Sequence, residues 1–140
     1  MDKLLSAFIA VALSTAVVAG HHSFAAEYDA SNQITLVGTI TKVEWTNPHT
    51  WFFIDVKDPQ GQVVNWAIEG GAPTVLYREG WKPTSLKAGD QVTVTIALAK
   101  DKSKKQGNAY QFKLPDGRCV FAGSSGPSGG ATDNCTPGRR

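Results

Sequence analysis

Five alternating or β-branched segments, one short helical stretch between the third and fourth, and turn residues at the junctions predict an all-β domain with one short helix. The order β-β-β-α-β-β suits a five-stranded OB-like Greek-key barrel, which leaves few strand edges unpaired. Size agrees: 140 residues, 41% of them hydrophobic, make one modest domain and too little for two full-sized ones. An immunoglobulin-like sandwich wants about seven strands, and a single helix excludes the parallel α/β architectures.

The elements follow in order. Residues 1–20 read as a signal peptide: Lys3 follows Met1, an apolar run extends from Leu4 to Ala19, and small residues close it. A membrane anchor would want roughly 20 apolar residues. The expected mature chain is therefore exported, to the periplasm or medium, with no membrane attachment after cleavage. Residues 21–33, HHSFAAEYDASNQ, have no clean period and read as an N-terminal arm. The barrel is assigned to 34–122. Its first strand is 34–45, where Gly38 marks a bulge or bend. Asn47 and Pro48 make a turn, and residues 49–57 form a second strand with Phe52, Ile54 and Val56 on one face and Trp51, Phe53 and Asp55 on the other. After the DPQGQ hairpin loop, residues 63–69 form a third strand with Val64, Trp66 and Ile68 toward the core. Residues 72–79 are the one expected helix, with Pro73 in its first turn, Gly80 after its end and Trp81 packing there. Residues 91–99 alternate cleanly as a fourth strand, 100–108 are a charged loop, and 110–114 with 118–122 form a last strand or hairpin around Pro115-Asp116-Gly117. Residues 123–140 are a Gly/Ser-rich flexible tail.

Composition narrows function. Fourteen Lys and Arg against 12 Asp and Glu give a net charge of +2, which offers no electrostatic reason to expect nucleic acid as a partner. Two cysteines exclude a dense disulfide scaffold and a four-cysteine zinc site, and the single Met argues against a methionine-rich copper(I) carrier. In an oxidising compartment Cys119 and Cys135 form a disulfide by default, closing a loop of about 15 residues that contributes roughly 3 kcal/mol in the chain-entropy model.

The three histidines are His21 and His22 at the expected new N-terminus and His49 in the first hairpin turn. Cleavage after Gly20 puts His21 first, so that the amine and its own imidazole chelate a metal and His49 or His22 supplies a third nitrogen. Cleavage after Ala19 makes His22 the third residue, and the amine, two amides and a ring give a square-planar nitrogen set. Either geometry favours Cu(II), then Ni(II); three nitrogens without a cysteine or a placed carboxylate suit zinc less well. Cleavage after Ala25 would remove both arm histidines. Against the metal reading stands a plainer one, with solvated arm histidines and His49 bonded to its own backbone.

Trp45 and Trp51 flank the turn and Phe53 shares Trp51's face, so these three aromatics are the candidate stacking surface for a glycan, a small ligand or a protein. The plainer reading is that they cover the barrel's open end or lie under the arm. The lysine run Lys100, Lys102, Lys104 and Lys105 reads as a solvated hairpin loop. No catalytic motif stands out: neither G-x-S-x-G nor H-E-x-x-H occurs, and no glycine-rich stretch leads into GK[ST].

The HHSFAAEYD segment, the GTITKVEWTNPHTW and NWAIEGGAP blocks, REGW and LKAGDQVTVT together resemble a bacterial family of short exported proteins of uncharacterised function, over roughly residues 20–118. The resemblance implies an exported OB-like domain and puts His21, His22 and His49 in the family's motif blocks. The expectation is a non-enzymatic, exported copper-binding domain using the mature N-terminus and His49. The alternative is a non-catalytic module presenting Trp45, Trp51 and Phe53 to a ligand or an exported protein partner. A copper oxidase with an N-terminal histidine brace is a third reading, for which the sequence marks no substrate cleft.

Overall fold

A computed structural model of the chain describes residues 24–123. Its elements are α1 (Phe24–Glu27), β1 (Tyr28–Glu44), β2 (Trp51–Lys57), β3 (Val63–Glu69), α2 (Pro73–Arg78), β4 (Gln91–Ala99), β5 (Gln106–Lys113) and β6 (Cys119–Phe121). The strands run β3-β2-β1-β4-β5-β6 through antiparallel pairings, and a parallel β3–β5 pairing joins the ends into a closed ring. The all-β class with a short helix between the third and fourth strands is thus the observed one, and the ring has OB-type connectivity. The β6 strand hangs on β5 as a hairpin extension.

Closure depends on β1, which is 17 residues long and serves two neighbours. Its residues Tyr28–Thr39 pair with β4 and Thr39–Glu44 with β2. The handover falls beside Gly38, where a Cβ would lie 2.4 Å from the Asp55 carbonyl oxygen, so only glycine admits the close approach. Register shifts between Ile40 and Lys42 and between Asp29 and Gln33 add the bends that carry one strand around the ring.

Three expectations change. The arm expected at 21–33 is strand from Tyr28 onward, because Tyr28 and Asp29 find partners in Ala99 and Leu98 and the mismatch bulges out at 30–32. Phe24–Glu27 forms a one-turn helix besides the one expected at 72–79. The charged loop ends at Lys105, not at 108, since Gly107 and Asn108 pair with β4 on one side and β3 on the other. Gly107 permits this, with Ile96 Cδ1 at 2.5 Å from where a Cβ would stand.

The core is thickest under α2. Phe52, Trp81 and Phe112 meet with centroid distances of 5.4, 4.8 and 5.6 Å, and Trp81 Nε1 donates to the Phe121 carbonyl at 2.7 Å. Leu76 of α2, Ile68 and Ile54 are fully buried beside them. Each such side chain contributes about 1.5–3 kcal/mol by leaving water. Toward the opposite end, burial falls off along the same inward faces: Val56, Val64 and Trp66 are only partly buried. Among the described residues no helix is long and apolar enough to cross a membrane.

Candidate functional site

The turn between β1 and β2 ends at His49 and Thr50, and the backbone there is pinned to the end of β3. Thr50 N donates to the Gly71 carbonyl at 3.0 Å, and Gly70 N donates to the Thr50 carbonyl at 2.7 Å. Gly70 and Gly71 allow this because a Cβ on either would meet Phe52 at 2.9 Å or the Gly123 carbonyl at 2.6 Å. The Asn47–Pro48 peptide is cis. The pinning sets His49 beside Glu69, the last residue of β3 and the partner of Trp51.

Glu69 points to the outside of the ring yet is buried, at 5% exposure. The start of β1 covers it. Tyr28, 2% exposed, donates its hydroxyl to Glu69 Oε2, and Gln106 Nε2 donates to that hydroxyl at 2.8 Å. The other carboxylate oxygen, Oε1, is paired with His49 Nδ1. Phe24 stacks on Tyr28 at 5.7 Å, and Ala97 and Ala99 complete a small apolar cluster over this outer face. Four residues from four separated stretches of chain therefore form one chain of contacts, Gln106–Tyr28–Glu69–His49. Burial, followed by the hydrogen bond to Glu69, pushes the Tyr28 phenol well above its ordinary range, so it remains a neutral donor.

The consequence for His49 is chemical. A carboxylate accepts, so the ring carries its proton on Nδ1 and directs Nε2 away from Glu69. The side chain is 29% exposed, and Nε2 has no hydrogen-bond partner among the described residues. A carboxylate-oriented imidazole with an open second nitrogen can coordinate a metal or take a proton. His49 does not bond to its own backbone through its ring; its carbonyl instead receives Thr46 Oγ1 at 3.5 Å.

His21 and His22 lie outside the described residues. Among the described residues no group of three or more His, Cys, Asp or Glu side chains is arranged to hold a metal. Five residues separate His22 from Tyr28, and Tyr28 and His49 share the Glu69 carboxylate.

The candidate aromatics do not share one surface. Trp45 packs on the core and meets Tyr77 of α2 edge-on at 5.6 Å. Phe53 lies under Lys42 Nζ at 5.6 Å. Trp51 lines a pocket of ≈ 380 Å³ with Glu27, Lys100, Asp101, Lys104 and Gln106. The lysines are engaged locally: Lys100 Nζ donates to the Ala25 carbonyl, and Lys104 sits 4.0 Å from Asp101. Cys119 is buried and not free; Cys135 lies outside the described residues.

Sequence reasoning passed over Glu69, Tyr28 and Gln106. The one local signal was an acidic residue closing an apolar strand directly before Gly70-Gly71.

The family model for a family of unknown function, DUF6152, matches residues 9–109. The chain belongs to this family. The match takes in His21, His22, Tyr28, His49, Glu69 and Gln106 and stops inside β5, so β6, both cysteines and the Gly/Ser-rich tail fall beyond it. No curated protein and no solved structure matches the chain.

Proposed function

We propose that this DUF6152 member is a small exported domain that binds copper(II) through His49 Nε2 and the processed N-terminus, as a binding protein and not as an enzyme. The observation that carries the reading is the pairing of His49 Nδ1 with the buried Glu69 carboxylate. Metal-binding histidines characteristically give their second N–H to such a carboxylate, which fixes the tautomer and makes the metal-facing nitrogen more basic. The strand that follows the arm meets the same carboxylate at Tyr28, and His21 and His22 precede Tyr28 in the sequence by seven and six positions. A nitrogen-only donor set favours Cu(II) among the common divalent ions. Export, with signal cleavage before or after Gly20, supplies the free amine and the oxidising surroundings in which Cys119 and Cys135 bond.

The test is a Cu(II) titration of the signal-cleaved protein against a competing chelator, with electron paramagnetic resonance to count nitrogen donors. His49→Ala and acetylation of the N-terminus should each lower affinity and remove nitrogen couplings. If affinity and spectrum survive both changes, the proposed site is wrong.

The Trp51 pocket favours a second reading, a module that captures a small ligand. Its one lining tryptophan and its mixed charges (Lys100 and Lys104 against Glu27 and Asp101) suit a neutral polar ligand such as a glycan unit better than a simple anion. Trp51→Ala should then abolish capture in a glycan screen while copper affinity stays unchanged.

A further inference from the structure

The ring has one closed end and one open end. Helix α2 and Trp81 seal the first, where Phe52, Ile68 and Phe112 are fully buried. Two residues farther along β2 Ile54 is still buried; two more bring Val56, which is partly exposed. Its partner Val64 and the neighbouring Trp66 are partly exposed too. With Leu36 these side chains line a pocket of ≈ 480 Å³ at the unsealed mouth. An apolar concavity of this size at the mouth of a β-barrel has the volume of a small-molecule site, and it is too small for a folded partner's surface loop.

Its rim carries two lysines and one aspartate. Lys57 and Lys105 stand on it, and Lys105 Nζ lies 5.6 Å from the centre of the Trp66 ring. Neither lysine is ion-paired among the described residues. The acidic group on the same rim, Asp58, is turned to its own hairpin: Oδ1 accepts the backbone N–H of Gln60 at 2.9 Å and of Gln62 at 2.8 Å. An apolar well under two cations selects an apolar body that carries a negative head.

We infer that the open barrel mouth bounded by Val56, Val64, Trp66, Lys57 and Lys105 is a binding site for a single-chain anionic amphiphile such as a medium-chain carboxylate. The apolar tail replaces water against Leu36, Val56, Val64 and Trp66, and the carboxylate takes the two ammonium groups. The site lies apart from His49 and does not rest on the copper reading.

The experiment titrates the signal-cleaved protein with dodecanoate below its micelle concentration, by calorimetry and by tryptophan emission, with dodecanol as the uncharged comparison. The expected result is saturable one-to-one binding, with dodecanol weaker by about fivefold or more for want of the charge pairing. The double variant Lys57→Gln/Lys105→Gln, both positions being exposed, should bind dodecanoate no better than dodecanol. Trp66→Phe should keep the calorimetric signal and lose the emission change. Equal affinity for dodecanol and dodecanoate, unchanged affinity in the double lysine variant, a full emission change in Trp66→Phe, or non-saturable uptake would each overturn the inference.

Discussion

Replacing Tyr28 with Phe removes one oxygen from the centre of the buried polar chain and little else. The Tyr28 ring keeps its place against Phe24, Ala97 and Ala99. What goes is a donor to Glu69 Oε2 and an acceptor for Gln106 Nε2. Glu69 is 5% exposed, so water cannot freely replace the lost donor. A hydrogen bond to a charged group contributes about 1.5–3 kcal/mol, and a loss near 2 kcal/mol lowers the melting temperature of a domain this size by about 8–16 °C. A second readout separates this bond from a packing defect. The folded-state pKa of Tyr28 is raised above its ordinary value near 10, by burial first and by Glu69 next. Below about pH 10 the phenol is protonated in both the folded and unfolded chain, and its contribution is complete. Above that pH the unfolded chain ionises while the folded one does not, so stability falls by up to about 1.4 kcal/mol per pH unit. Urea denaturation of wild type and Tyr28→Phe from pH 7 to 11 should show the difference between them shrinking above pH 10. A variant that matches wild type at pH 7, or a difference that stays constant up to pH 11, would refute the role given to this hydroxyl.

Other outcomes follow from the same geometry. Glu69→Gln leaves only one acceptor oxygen for two donors, and a chelator-competition titration should show Cu(II) affinity lower by about 10–100-fold. Gly107→Ala puts a methyl against Ile96 and the Ala97 carbonyl where β5 closes the ring; thermal melts should report a loss of about 1–3 kcal/mol. Phe52→Ala opens a cavity beside Trp81 and Phe112, and denaturant midpoints should fall in line with about 3–5 kcal/mol. Under the proposed Cys119–Cys135 bridge, the signal-cleaved protein should show no reactive thiol until reduced, and Cys135→Ser should cost about 3 kcal/mol by loss of the loop closure.

How far the chain was readable from its residues varied with the range of the interactions. The boundaries at 63–69 and 91–99 matched β3 and β4 because alternating, β-branched runs bounded by turn residues mark a strand locally. The helix at 72–79 differed from α2 by one residue at each end, since Pro73 and Gly80 mark its limits locally. The start of β1 was misread as arm because YDASNQ has no periodicity of its own; it becomes strand only when Ala99 and Leu98 offer hydrogen bonds. The same holds for Gly107 and Asn108, poor strand formers held between two neighbours. At the site, His49 stood out by rarity, whereas Tyr28, Glu69 and Gln106 looked like ordinary arm, strand-end and loop residues. The three aromatics proposed as one face separate because Trp45 packs on the core and against Tyr77 of α2, while Trp51 and Phe53 stay on the outside of β2.

The residues alone determined the predominantly β class, the helix between the third and fourth strands and the presence of a histidine in the first turn, because periodicity and turn chemistry act within a few positions. Only the closed ring decided what that histidine touches. Bringing residues 28, 49, 69 and 106 together requires the pairing of β1 with β4 and of β3 with β5. A carboxylate becomes a buried partner for an imidazole only after those strands have excluded water from one of its sides.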